Sequence, residues 1–243
     1  MKFDSYIISN PRTALSVPLT QEILSTKKTL KQKAFTLAET LITLSIIGVV
    51  AAMTVPTLMS NMNKQIYVTG LKKAYNQLQN AIKMIPISEG CSAGDYECAF
   101  FDPGNTGLLL VTGEQLKAQY KVAVNTDKCT ITKNTDHGFN TCFQTEDGMK
   151  IQYHSFAASS LGIDINGDKG PNLLGRDIFI FNVSSGESGH PVGIVLPLGS
   201  KLAHQYNPYT YWKGACTTDA VKKQDYKAET CAGRVLEENA MNY

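Results

Sequence analysis

The sequence predicts an α+β fold, with one long N-terminal helix packed on a small antiparallel sheet. Three observations predict it. From Phe35 to Val55 the only ionisable side chain is Glu39. Beyond Pro56 the apolar residues recur at helical spacing. From about Pro86 short apolar runs alternate with turn residues, as short strands do.

The first run, 21 residues long, matches the ~20 residues that a helix needs to cross ~30 Å of hydrocarbon. A basic cluster precedes it: residues 1–34 hold Lys2, Arg12, Lys27, Lys28, Lys31 and Lys33 against Asp4 and Glu22. By the positive-inside rule the N-terminus is cytoplasmic. A secretory signal cut near Ala51-Ala52 is the competing reading, but the helical pattern continues well past that point. Tyr67, Leu71, Ala74, Leu78, Ala81 and Ile85 form one stripe, with Ile66, Tyr75 and Ile82 alongside and Lys64, Lys72, Lys73, Asn76, Gln77 and Gln79 between. One helix therefore runs from Phe35 to about Ile85, apolar all round in its first half and one-sided in its second. Gly48 and Pro56 are its weak points, and Pro56 is expected to kink or locally melt it.

In the remainder, Leu108–Val111 is apolar and Gly113–Tyr120 reads as a short helix. Lys128–Phe156 reads as strands, with Asp147-Gly148 as a hairpin turn. Asp177–Val183 and Val192–Leu198 read as two more strands, and Gly233–Glu238 as a terminal helix. One face of this sheet is expected to bury the amphipathic half of the long helix.

All six cysteines lie beyond the apolar run, in three close pairs: Cys91 and Cys98, Cys129 and Cys142, Cys216 and Cys231. An even count on one side of a membrane segment predicts local disulfides in an oxidising compartment. Six free thiols of a cytosolic protein are the alternative. Zinc has less support, because no C-x-x-C occurs and only His137 lies between paired cysteines. The net charge of +2 becomes −2 once the leader's +4 is removed, which gives no electrostatic case for nucleic acid. No catalytic constellation is visible: His137, His154, His190 and His204 are scattered, and Ser184–His190 fails the G-x-S-x-G pattern, so the chain reads as no enzyme.

Lys27 to about Leu58 resembles the N-terminus of type IV pilins and type II secretion pseudopilins. A basic leader meets Ala34, then Phe35-Thr36-Leu37-Ala38-Glu39 and an apolar helix, with Gly48 and Pro56 at positions where the family commonly has glycine and proline. The family usually has glycine before the cut, where this chain has Ala34. The resemblance implies a pilin-like fold in three parts: a leader over 1–34, a transmembrane or filament-core helix over 35–61, and an amphipathic half with a globular head over 62–243. It implies cleavage between Ala34 and Phe35 by a prepilin peptidase, N-methylation of Phe35, and assembly into a helical filament by a platform protein and an ATPase. Identical or related pilin subunits would be the partners, and Glu39 would pair with a neighbour's N-terminal amine. The precursor would sit in the bacterial inner membrane, with its head periplasmic, or extracellular once in a filament. A static single-span membrane protein with a binding or adhesion head is the alternative function.

No cofactor is required, but Gly162–Phe179 raises calcium. Asp164, Asn166 and Asp168 alternate as calcium-loop ligands do, with Asn172 and Asp177 as further oxygen donors. Lys169 stands where an EF-hand needs glycine, and Gly175 where it needs a bidentate glutamate. An Asx-rich turn is the other reading.

Overall fold

The structure is a computed structural model; it describes residues 35–102, 109–126, 129, 139, 141–154, 157–187, 190–206 and 214–243. The chain divides into two compact units, Met1–Val50 and Ala51–Tyr243. The leader, with Ala34, lies outside the described residues, as do Leu108 and His137.

Helix α1 spans Leu37–Ser88. In the first unit its side chains are exposed, among them Leu41, Ile42, Leu44, Ile46 and Ile47. The helix is long and apolar enough to cross a membrane. It continues through both Gly48 and Pro56, contrary to the expectation that Pro56 would melt it. Proline removes a single N–H, and the turns on either side retain theirs.

In the second unit, burial on α1 begins at Val68 and follows Leu71, Ala74, Leu78, Ala81, Ile82 and Ile85. These residues meet a six-stranded antiparallel sheet in the order β1 (Val122–Thr126), β2 (Thr141–Thr145), β3 (Lys150–His154), β4 (Ala157–Asp164), β5 (Ile178–Ser185), β6 (Val192–Pro197). The shared core includes Phe143, Ile151, Tyr153, Leu161, Ile163, Phe179 and Phe181. Tyr75 of α1 stacks on Phe181 with ring centroids 6.0 Å apart. This is the pilin-like α+β arrangement. Each fully buried Leu or Ile of the stripe contributes about 1.5–3 kcal/mol of burial energy.

The sheet's other face is covered too, over β5. Residues alternate across a strand, so Phe179, Phe181 and Val183 join the α1 core while Ile178 and Ile180 join a second cluster. That cluster holds Leu198, Cys216, Val221, Ala228 and Cys231. Its cover comes from α5 (Thr218–Lys223), a 3-10 turn (Tyr226–Thr230) and α6 (Cys231–Glu238). Gly233 lets α6 approach closely: its N–H donates to the Leu198 carbonyl at 2.9 Å. A Cβ at Gly233 would fall 1.9 Å from the Ser200 nitrogen.

The short helix α2 spans Tyr96–Ala99, and α3 spans Gly113–Ala118. Thr112 caps α3 in a capping box with Gln115. One more short helix, α4, covers Lys201–Tyr206. Asp147-Gly148 forms the β2–β3 turn, closed by the Gly148 N–H donating to the Thr145 carbonyl at 3.0 Å, with Gly148 at φ +89°. Two strands escape the sequence reading, β1 and β4, and the segment read as a loop from Gly162 begins inside β4. Ser184 and Ser185 end β5.

The β2–β3 turn is clasped to α1 by Asp147. Its Oδ2 accepts from Lys73 Nζ at 2.8 Å and from Gln77 Nε2 at 3.0 Å, and its Oδ1 accepts from Thr145 Oγ1. Burial raises the Asp147 pKa, but the hydrogen bonds from Lys73, Thr145 and Gln77, with the lysine charge, outweigh it and bring the value from 3.8 to about 2. A depressed carboxylate stabilises the folded state fully above its unfolded pKa and loses that contribution as pH falls through the folded one. The clasp is part-exposed, so screening reduces its worth to about 1 kcal/mol. We therefore expect acid unfolding to show a loss of stability between about pH 4 and pH 2. Lys73→Met should flatten that interval, as followed by chemical denaturation at each pH.

Candidate functional site: the N-terminal helix start and the Asp164 loop

Glu39 lies in the first turn of α1. The Thr36 N–H donates to Glu39 Oε2 at 2.9 Å and the Thr36 hydroxyl to the same oxygen at 3.0 Å. In return the Glu39 N–H donates to Thr36 Oγ1 at 3.2 Å. This is a reciprocal capping box, T-x-x-E, which satisfies two of the orphan donors of a helix N-terminus. The carboxylate also lies at the positive end of the helix dipole. The Thr36–Glu39 spacing belongs both to the processing signature and to a capping box. Phe35 is exposed ahead of the cap, at 83%.

Disulfides join Cys91 to Cys98, Cys129 to Cys142 and Cys216 to Cys231. The first follows the end of α1, the second anchors β2, and the third ties the loop before α5 to the start of α6. Loops of 7, 13 and 15 residues each contribute on the order of 2–3 kcal/mol in the chain-entropy account.

In the Asp164 loop, running from the end of β4 to Ile178, several oxygens are held by the chain itself, whereas the buried Asn166 Oδ1 has no hydrogen-bond partner among the described residues. Asp164 is fully buried and its Oδ1 accepts from the Asn166 N–H at 3.2 Å, an Asx turn. The Asn166 side-chain amide donates to the Gly170 carbonyl at 3.4 Å. Asp177 spends both oxygens on backbone, accepting from Asn172 N–H at 2.8 Å and Leu173 N–H at 2.7 Å. Besides the loop's own Lys169 and Arg176, a buried positive charge reaches it from Lys150 on β3. This residue is 1% exposed, sits opposite Asp164 in the β3–β4 register, and places its Nζ 2.5 Å from Asp168 Oδ1. A buried ammonium thus reaches one of the oxygens that the sequence suggested for calcium. Lys150 was not singled out in the sequence, because its place at the start of an alternating strand gives no sign of burial.

Among the described residues, no three His, Cys, Asp or Glu side chains are grouped to hold a metal. A groove of about 380 Å³ lies between α1 and the β2–β3 turn, beside Gln77, Tyr120 and Asp147. It brings no nucleophile–base pair together. His190 packs edge-on against Tyr206.

Residues 29–55 match the model of the prokaryotic N-terminal methylation motif, the signature of type IV pilins and pseudopilins. The match covers the segment with the capping box and the whole apolar run from Phe35 to Val55. It points to a structural rather than an enzymatic protein. No curated protein and no solved structure matches the chain.

Removing the Lys150 ammonium leaves Asp168 without its ion-pair partner. Breaking a buried pair costs ~3–5 kcal/mol, but Asp168 is 75% exposed, so Lys150→Met should cost on the order of 1–3 kcal/mol. Thermal melts of the detergent-solubilised full chain should give the same wild-type midpoint in millimolar calcium and in chelator. A calcium-dependent rise in the wild type would show that the ion displaces the lysine.

Proposed function

We propose that the chain is a structural subunit of a helical filament, a type II secretion-like pseudopilus or a type IV pilus. One observation carries this reading. The methylation motif leads directly into a helix whose first part is apolar and exposed and whose second part is packed on a sheet. A subunit that waits in a bilayer and then packs its helix among copies of itself needs that division. Prepilin peptidase would cut between Ala34 and Phe35 on the cytoplasmic side, and Phe35 would be methylated. The head would lie in the periplasm, where three disulfides are chemically at home. A platform protein and an ATPase would extract the subunit from the inner membrane.

In this reading Glu39 has two successive partners. In the bilayer its own helix start holds it, which reduces the cost of a carboxylate near lipid. In the filament it faces the methylated amine of a neighbouring Phe35. The capping box favours a second reading as well, in which Glu39 does no more than start the helix of a static single-span protein.

N-terminal mass spectrometry of the membrane-extracted protein should find methylated Phe35, and an intact leader would remove the basis of the proposal. The two roles of Glu39 separate by substitution. Glutamine at this position keeps the capping box but carries no charge for an amine, whereas alanine loses both. Glu39→Gln and Glu39→Ala should both insert into the membrane and both fail to assemble, scored as sheared surface filaments in cells lacking the native copy. Assembly by Glu39→Gln at wild-type level, with Glu39→Ala defective, would reduce Glu39 to a helix cap.

A further inference from the structure

Three cations of the second unit, Lys64 of α1, Arg176 of the β4–β5 loop and Lys222 of α5, line one recess of about 100 Å³. Its floor is apolar, built from Val221, Met241 and the ring of Tyr243, and Val221 and Met241 are buried. Among the described residues, the ion pairs engage Lys73, Lys117, Lys150 and Arg234, and none engages these three. The carboxylates of the neighbourhood are occupied elsewhere. Asp177 holds two backbone N–H groups, and Glu238 is bound by Arg234 and Asn242. Asp219, one turn before Lys222 on α5, makes no ion pair with it. Three cations that line one recess and make no ion pair among the described residues repel one another, and that repulsion falls when an anion joins them.

The position of the recess selects the anion. Lys64 is the first cation after the apolar run. The exposed apolar side chains of α1 include Leu58, Met59, Met62 and, just beyond Lys64, Ile66, so Lys64 lies at the end of that run. From Met59 to Lys64 the helix rises about 8 Å, which is the depth of one headgroup layer, about 5–8 Å. A cationic rim over an apolar floor at that depth fits a phosphodiester with the start of its acyl chains. Arginine supplies a planar fork for phosphate oxygens, and lysines supply point charges.

We propose that this recess binds the headgroup of an anionic phospholipid, in the leaflet on the side of the head, while the subunit resides in the membrane. The proposal rests on the membrane-resident subunit proposed above. The bound lipid holds the head against the bilayer surface, and leaving the membrane requires its release.

The test uses the full-length chain in nanodiscs of phosphatidylcholine with and without phosphatidylglycerol, with retained lipid read by native mass spectrometry. Phosphatidylglycerol should be retained over phosphatidylcholine by roughly tenfold or more, since each cation near the surface contributes appreciably to anionic-lipid binding. The combined variant Lys64→Gln, Arg176→Gln, Lys222→Gln should lose that preference. A control with Lys83→Gln, Lys121→Gln and Lys201→Gln should keep it, and circular dichroism melts should show both variants folded. Retention of the preference by the recess variant overturns the proposal, as does its loss in the control. Millimolar inorganic phosphate that abolishes lipid retention would assign the recess to free phosphate instead. Insertion into both kinds of disc without any preference sinks the lipid site alone, whereas failure to enter either disc sinks the membrane reading and the lipid site with it.

Discussion

The packing of the α1 stripe on the sheet is the contact on which the head depends. Leu71, Leu78, Ile82 and Ile85 are fully buried, and they meet side chains from β2, β3, β4 and β5. Without that helix the sheet would expose Phe143, Ile151, Ile163, Phe179 and Phe181 to water. The stripe also fixes a boundary on a single continuous helix. Burial begins at Val68, and the exposed apolar residues reach Ile66. A side chain moved by a turn across that boundary would meet the wrong solvent. The Asp147 clasp helps to hold the boundary, because it ties the β2–β3 turn to Lys73 and Gln77 on the polar flank of the stripe.

Elements dictated by local pattern were legible in the sequence. The α1 stripe, the Asp147-Gly148 turn and the β5 and β6 runs follow from periodicity and turn chemistry. Strand β4 did not, because Ala157-Ala158-Ser159-Ser160 has neither alternation nor β-branched residues. It is a strand because β3 and β5 pair with it on both sides. The two-sided burial of β5 was likewise hidden, since a continuous apolar run does not say what covers each face. At the site, Glu39 stood out as an acid in an apolar run, whereas its capping partner Thr36 was absorbed into a motif. Lys150 gave no signal, because a lysine pattern reads as surface until its partner across the register is known.

A carboxylate near a bilayer needs donors, and α1 provides them locally through Thr36. This changes how assembly is to be understood. In the filament proposed above, the charge would already be partnered when a subunit meets its neighbour, so recruitment would be an exchange of hydrogen-bond partners rather than the rescue of a bare charge. Exchange of this kind depends on the difference between two environments, and a few hydrogen bonds can set it.

The strand order of the sheet is also the order of the chain. Every strand pairs with its sequence neighbour, and each disulfide closes within 15 residues. No strand waits for a distant partner. Strand pairing of this kind is local in sequence, while docking of α1 on the sheet is the long-range step. If the head crosses a membrane, as the proposed subunit's would, each new strand can pair with the one just emerged, and each disulfide can close as its second cysteine arrives. Only the cover over Ile178 and Ile180 must wait for the last thirty or so residues. The half-emerged chain is then a docked sheet with one open apolar face, and that face is what a chaperone or protease would meet.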